Sequence, residues 1–488
     1  MIIPLCGAAY KHPSIDVNYQ RCVNMFPTGA GPDGRGKFTL LPTAGLLQLI
    51  DLGADPIRCM GEVGGFVYAV SGTTVYKITV NYLTKTATSS SIGTITSSSE
   101  GRMSMASNLT QIMWVDGTSS GYLYTIASGA FVRINDTDAD FTGGDTVSYM
   151  DGYFIVNQPD TAKIFFSALN NGLSWLPADV ATAESGTDNL VALAVNKGEL
   201  WAIGERTSEI WYNAANASPG SPFSVRTGLQ MQIGCGAKDS VSSVNDILIW
   251  LDHRGFIVQS TVSPYVRSNN SGYDLKIISD EAITSEILSY SRRDDAVAMS
   301  YNDRGHIMYQ ITFPTPKKTW VYDYTSSSWH ERSYYNTFNS EHQHHLGQFY
   351  CQIDSLHLMS GIRDGKIYMS SSDYTNDNSS VIIRNRTTAP QYDTEDHRLS
   401  GCARLDLRVG IESHSVVDPQ VTLRYSKNGG HTWSHHLPRS LGAVGEYAKP
   451  ITWNRLGSSR EWVFEFTIAE DLKFSLIDAV ARPTELES

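Results

Sequence analysis

Short apolar runs, most of four or five residues and separated by polar turns, recur along most of this chain. The clearest are Phe66-Val67-Tyr68-Ala69-Val70, Ile112-Met113-Trp114-Val115, Tyr153-Phe154-Ile155-Val156, Leu200-Trp201-Ala202-Ile203, Ile247-Leu248-Ile249-Trp250, His306-Ile307-Met308-Tyr309 and Leu356-His357-Leu358-Met359. Such runs, rich in Val, Ile and aromatic residues, predict β-strands. Most lead through a turn into a second strand: Gly72-Thr73-Thr74 into Val75-Tyr76-Lys77-Ile78, Arg206-Thr207-Ser208 into Glu209-Ile210-Trp211-Tyr212, and Asp252-His253-Arg254-Gly255 into Phe256-Ile257-Val258. Helical spacing stands out once, from Ser279 to Tyr290, where Ile283, Ile287 and Leu288 share a face behind an Asp280 or Ser279 cap.

The hairpins return every ~40 to 60 residues, close to the period of a propeller blade, and about seven units fit between Gly61 and Ser372. A blade is a twisted four-stranded sheet that cannot bury both faces alone, so blades stack radially with aromatics in the wedges between them. Trp114, Trp201 and Trp250 stand where such wedges fall. Around Pro390 the rhythm changes to longer strands, Leu405 to Ile411, Gln420 to Ser426 and Trp462 to Ile468, which predict a separate β-sandwich. Residues 1–45 are rich in Pro and Gly, lack the blade rhythm, and read as an extended arm. The predicted fold is therefore all-β: an arm over 1–45, a propeller of six to eight blades over 46–390, and a C-terminal sandwich over 391–488 that forms a platform with the arm.

Composition supports this and narrows the function. The 488 residues are 41% hydrophobic and only 18% charged, with 40 Gly, the profile of a turn-rich all-β protein. No apolar stretch reaches the roughly 18 residues of a membrane-spanning helix, and the first ten residues do not form a signal peptide, so a soluble, unprocessed chain without a membrane anchor is expected. The six cysteines are scattered and lack zinc-knuckle or redox spacing, which predicts isolated thiols. A formal charge of -12 is the wrong sign for gripping phosphates, and no dense basic stripe occurs.

Several motifs imitate chemistry. Ser426-Lys427-Asn428-Gly429-Gly430-His431-Thr432-Trp433 resembles the Asp box of sialidase-like propellers with Asn428 in the Asp position, and Asn170-Asn171-Gly172-Leu173-Ser174-Trp175 is a looser echo. That box is a hairpin turn that caps itself over its Trp and is a folding motif. Asp136, Asp138 and Asp140 open like a calcium loop, but Phe141 and Val147 occupy the positions of the required Gly and Glu. Glu341, His342, His344 and His345 could suggest a metal site, with no further ligand at a recognisable spacing, so an exposed polar loop is expected there. No phosphate loop, nucleophile elbow or zincin motif occurs. Neither a catalytic residue, a metal nor a cofactor is expected.

Colinear stretches along nearly the whole chain resemble the tail nozzle, or packaged-DNA stabilisation, family of short-tailed bacteriophages. Near the start stand Cys22-Val23-Asn24-Met25-Phe26-Pro27 and Leu41-Pro42-Thr43-Ala44-Gly45-Leu46, then Gly101-Arg102-Met103-Ser104-Met105-Ala106. Gly204 to Tyr212, Gly234-Cys235-Gly236-Ala237 and Ile278 to Ile283 follow in the family's order. The C-terminal sheet carries Arg424-Tyr425-Ser426, Trp433 and Arg455-Leu456-Gly457. The resemblance implies a non-enzymatic virion protein: a homo-hexameric nozzle or hub below the portal-adaptor ring, assembled in the host cytoplasm, with a distal needle or plug and tailspike or fibre proteins nearby. Genomic double-stranded DNA would pass through its lumen without tight binding. It marks Val23, Asn24, Met25, Phe26, Pro27, Arg424, Tyr425, Trp433, Arg455, Leu456 and Gly457 as assembly candidates. The competing readings are a virion glycan hydrolase, motivated by the Asp-box-like turns, and a receptor-binding tail protein, since propellers also serve as adhesins.

Overall fold

A computed structural model describes residues 2–15, 17–29, 31, 38–184, 186–262, 272–392, 400–412, 416–443, 445–446 and 449–485. Among the described residues the repeated apolar runs form seven blades. Six of them occupy 57–94, 104–133, 147–182, 190–225, 242–277 and 297–331, each a four-stranded antiparallel meander in sequence order. The seventh takes three strands from 347–371 and its outer strand, Gly45–Asp51, from the other end of the propeller sequence. Leu46 lies opposite Ser370 and Ile50 opposite Ile367, so main-chain hydrogen bonds between distant segments close the ring.

Each blade-to-blade interface holds its own apolar cluster, because the alternating strands bury both faces between neighbouring blades. Trp114 packs between blades one and two with Tyr68 and Ile112. Trp201 and Trp250 meet between blades four and five, ring centroids 6.2 Å apart in a T-shaped contact. Phe154 and Trp175 serve blades two and three, Phe166 and Trp211 blades three and four. Val67 and Leu358 fill the seam between blades seven and one. The predicted helix is Glu281–Leu288, with the Asp280 carboxylate accepting from the Ile283 N–H at 2.8 Å. It lies between blades five and six and buries Ile283 and Ile287 in the largest cluster, which continues into the sandwich. Among the described residues no helix is long and apolar enough to cross a membrane.

The sandwich has two sheets. One orders Ile451–Ser459, Ser400–Ile411, Phe474–Glu485, Phe38–Pro42 and Met25–Gly29, with Ile2–Ile3 also on Phe474–Glu485. The other orders Cys22–Val23, Arg384–Thr387, Glu461–Ile468, Gln420–Ser426 and Leu437–Ser440. The arm thus supplies strands to both sheets, and the two chain ends build one platform.

Ring closure depends on Gly45. A Cβ there would stand 2.4 Å from the Tyr374 carbonyl oxygen and 2.6 Å from that of Asn376, so a side chain would force the closing strand off blade seven. Gly45→Val should cost roughly 1–3 kcal/mol, as overpacking does. Denaturant unfolding should show the loss, and limited proteolysis should cut first beside 45–51; an unchanged midpoint would contradict this closure.

Candidate assembly site

At the outer edge of blade six the sheet continues into the platform. Strand Ser328–Glu331 is followed by Cys22–Val23, running parallel with Glu331 opposite Val23, and then by Arg384–Thr387, with Asn385 opposite Val23 and Arg386 opposite Cys22. Blade six and one sandwich sheet are therefore one hydrogen-bonded surface. At Asn24 the arm leaves that sheet and enters the opposite one at Met25. The turn needs a positive φ of 56°, which a short amide tolerates better than most side chains. The Asn24 amide donates to the carbonyls of Ser333 at 3.0 Å and Ile383 at 2.8 Å, and its oxygen accepts from the Ser333 N–H at 2.9 Å. Its backbone N–H donates to Glu331 and its carbonyl accepts from Thr43. One buried residue thus ties blade six, the entry to Arg384–Thr387 and the second passage of the arm. Phe26, fully buried, packs T-shaped on His306 at 4.9 Å and against His330 at 5.9 Å, with the Arg304 guanidinium 5.1 Å from its ring.

Buried arginines fix the irregular backbone around this turn. Arg386 donates to the carbonyls of Leu5, Ala8 and Arg21 and to the Gln20 side chain, at 2.6 to 3.3 Å. Arg384 holds the carbonyls of Thr375, Glu470 and Ile382, and Arg332 donates to the Tyr301 hydroxyl and the Ala44 carbonyl. A guanidinium offers five donors in a rigid fork, which suits carbonyls that no strand partner reaches. Burial lowers the pKa of Arg384 to about 10. Glu331 receives Arg21 and Lys318, both at 2.9 Å. Burial pushes its carboxyl up, but the two cations outweigh that and hold it at about 2.

The C-terminal candidates gather at another end of the sandwich. Arg424 pairs with Glu465 and lies 5.2 Å over the Trp433 ring, which in turn meets Tyr19 of the arm at 6.2 Å. Tyr425 packs on Trp462 at 5.6 Å. The Asp-box-like turn closes on itself: Ser426 Oγ accepts from the Gly430 N–H at 2.9 Å, and Asn428 Oδ1 from the Thr432 N–H at 2.9 Å. It belongs to the sandwich and lies outside the propeller. Lys427 adjoins Gly457, and Arg455-Leu456-Gly457 forms a bulge with Arg455 at φ 59° and exposed, and Leu456 in the core. The structure therefore brings Arg424 and Trp433 together, places Tyr425 and Gly457 around Lys427, and sets Val23 to Pro27 apart in the joint.

Two lookalikes have structural partners. Asp138 accepts from the N–H groups of Trp175 at 2.7 Å and Asp140 at 3.0 Å, so the acidic run caps the loop over that indole. The histidine segment corrects the expected exposed loop: His344 and His345 are buried. His345 Nδ1 meets Gln310 at 3.3 Å and the Gly347 N–H at 3.1 Å, because the chain turns inward there between blades six and seven. Sequence reasoning missed Arg332, Arg384 and Arg386; two arginines alternating on one strand, Arg384 and Arg386, were the available signal. It also missed a brace across the bore of the ring. Arg102, between blades one and two, pairs at 3.4 Å with Asp239, between blades four and five, and Lys238 pairs at 3.3 Å with Asp145, between blades two and three. Gln348 of blade seven joins through Arg102 at 3.1 Å.

The joint should be acid-sensitive. His330 is buried with neither ring nitrogen hydrogen-bonded; burial, then Arg332 and His306, pull its pKa from 6.5 to about 3. The native state holds it neutral, so its contribution is fully present above pH 6.5 and is lost as pH falls from 6.5 toward 3. The slope is up to about 1.4 kcal/mol per pH unit for this proton. In denaturant titrations from pH 7 to 4, His330→Leu should flatten the curve by one proton's worth, and an equally steep curve in the variant would refute the assignment.

Comparison with known proteins accords with this architecture. The family model described as bacteriophage P22 Gp10, beta-propeller, matches residues 1–374, and that described as bacteriophage P22 Gp10, beta-sandwich, matches 390–483. A search of curated proteins gave no match. Similar solved structures include the WD40 β-propeller domain of Doa1, at 10% identity over 67% of this chain and 97% of that one, TM-score 0.40. The computationally designed Ika8 protein is similar at 10% identity over 67% and 99%, TM-score 0.39. YCF48 bound to D1 peptide is similar at 10% identity over 67% and 95%, TM-score 0.39. Matched through propeller and sandwich alike, the chain belongs to the bacteriophage P22 Gp10 family and is a structural component of a phage tail.

Proposed function

We propose that this chain is the tail nozzle: six copies form a ring below the portal-adaptor complex, help retain the packaged genome and enclose the path of its ejection. A distal needle or plug closes the path, and tailspike or fibre proteins attach nearby. The observation that carries this reading is the family match over both domains. Two features of the chain support it. The continuous sheet through Cys22–Val23, stapled by Asn24 and the buried arginines, makes propeller and platform one body able to bear load along the tail. The bore of each propeller is crossed by Arg102, Asp239, Lys238 and Asp145, which favours a duct between copies over one through a propeller. The assembly candidates then divide by role: Val23 to Pro27 hold the joint, while Arg424, Tyr425, Trp433 and the Arg455 bulge shape the platform end offered to a neighbour.

Charge sets how such a duct treats DNA. Six copies at -12 each carry a formal -72, and a wall of that sign repels phosphates. Retention is then mechanical, through distal closure. The isolated protein should show no binding to duplex DNA in gel-shift assays at physiological salt, and heads completed with this chain but lacking the distal plug should leak DNA. Tight binding with a steep salt slope, or leak-free heads without the plug, would overturn the non-adhesive duct.

A further inference from the structure

We propose that the outer strand of blade one, Thr86–Thr94, with the tip of its hairpin, is the edge on which the next copy of this chain docks. This rests on the ring reading above and names the contact that builds the ring.

An outer strand leaves a row of main-chain donors and acceptors open to pairing, and proteins blunt such edges with charge, proline, shortness or cover. Six blades do so. Ala130–Arg133 in blade two and Phe223–Val225 in blade four are short. Asn171–Thr182 in blade three has register shifts and contains Pro177 and Asp179. Tyr273–Ile277 in blade five carries Asp274 and Lys276. Blade six is covered by Cys22–Val23, and blade seven by Asn376–Asp377.

Blade one is the least protected: its outer strand has one register shift, at Ile92, and no other such device. Thr86–Thr94 is nine residues long, TATSSSIGT, with no charge and no proline, and among the described residues no strand pairs with its outer side. Its hairpin is also long: Phe66–Ser71 pairs only with Thr74 to Ile78, so the rest of the hairpin runs past the blade. The tip presents Tyr82 and Leu83, the latter 78% exposed, and Leu47 on the neighbouring outer strand of blade seven is exposed beside it.

Charge identifies the occupant. Residues 46–390 hold 34 acidic and 23 basic side chains, so two propellers approaching at random repel. Residues 82–99 hold Lys85 and no carboxylate, and Lys77 adjoins on the paired strand. Exposed carboxylates lie off this strand, at Asp136, Asp140, Asp151, Asp160 and Glu184 of blades two to four, with Asp51, Asp55, Glu62 and Asp373 on blades seven and one and the turn that follows. A second copy offering that acidic rim to the neutral, lysine-flanked edge makes a head-to-tail contact, the kind that closes into a ring; a two-fold contact would stop at a dimer.

The test uses the full chain. Ser89 and Ser91 are exposed, so the double variant S89D/S91D should keep its unfolding midpoint while its ring assembly, followed by sedimentation and mass photometry, weakens at least tenfold. In the unaltered chain, hydrogen exchange at the outward-facing amides of 86–94, those not bonded to Thr74–Asn81, should be fast in the monomer and protected in the ring. A variant that folds and assembles like the parent, or strand amides that exchange equally in ring and monomer, would overturn the proposal while leaving the ring intact. Failure of the unaltered chain to form any ring on adaptor-bearing heads would instead remove the nozzle reading, and this contact with it. Should the variant misfold, the exchange comparison decides.

Discussion

Main-chain hydrogen bonding by Cys22–Val23, Met25–Gly29, Phe38–Pro42 and Gly45–Asp51 is the constraint on which the rest of the molecule depends. An open sheet edge must be paired, covered or disguised, and this chain uses one stretch of its arm to resolve two edges. Cys22–Val23 covers blade six and carries its sheet into the platform. Gly45–Asp51 completes blade seven and closes the ring. Between them Asn24 turns the chain from one sandwich sheet to the other, and Phe38–Pro42 joins the second sheet. Ring closure and platform attachment are therefore a single event, and neither domain is complete without the arm.

The joint shares the largest apolar cluster with blades five and six and adds buried polar bonds to it, for a physical reason. Blades repeat, so alternating side chains can fill every wedge between them with hydrocarbon and indole. Beside the paired strands the joint also gathers irregular backbone, at Leu5, Ala8, Ala44, Thr375 and Glu470, whose buried carbonyls would otherwise go unpaired at a cost of about 1–3 kcal/mol each. Arg386, Arg384 and Arg332 meet those carbonyls with forked donors. Arg386 and Arg384 each satisfy several acceptors at once, so the platform is held in one orientation by directional bonds. Such a joint resists reorientation, which the proposed nozzle role would use.

Much of this was legible in the sequence. The apolar runs marked the blade strands because each strand is buried on both faces, and the helix from Glu281 was marked by its cap and spacing. The loss of rhythm at both ends correctly paired the arm with the C-terminal sandwich. Ring closure by Gly45–Asp51 left no local signal, since its partner strand lies far along the chain and its composition resembles any other strand. The buried arginines went unmarked, because burial of a charge follows from partners that only the folded chain assembles. His344 and His345 misled for the same reason: a polar run looks exposed until Gln310 and Gly347 are seen to receive it. Among the assembly candidates, the segment from Val23 to Pro27 stood out as a motif, but its place at the turn between two sheets follows only from the positive φ of Asn24 and its partners.

The central claim is that propeller and platform move as one rigid unit whose copies surround the DNA path. Electron cryomicroscopy of the assembled tail tests it most directly. The account predicts six copies below the adaptor, each with blade six running into the sandwich through Cys22–Val23, and the duct between copies with every propeller bore off the axis. A tail in which sandwich and propeller adopt different relative orientations among copies, or in which a propeller bore lies on the DNA axis, would contradict it.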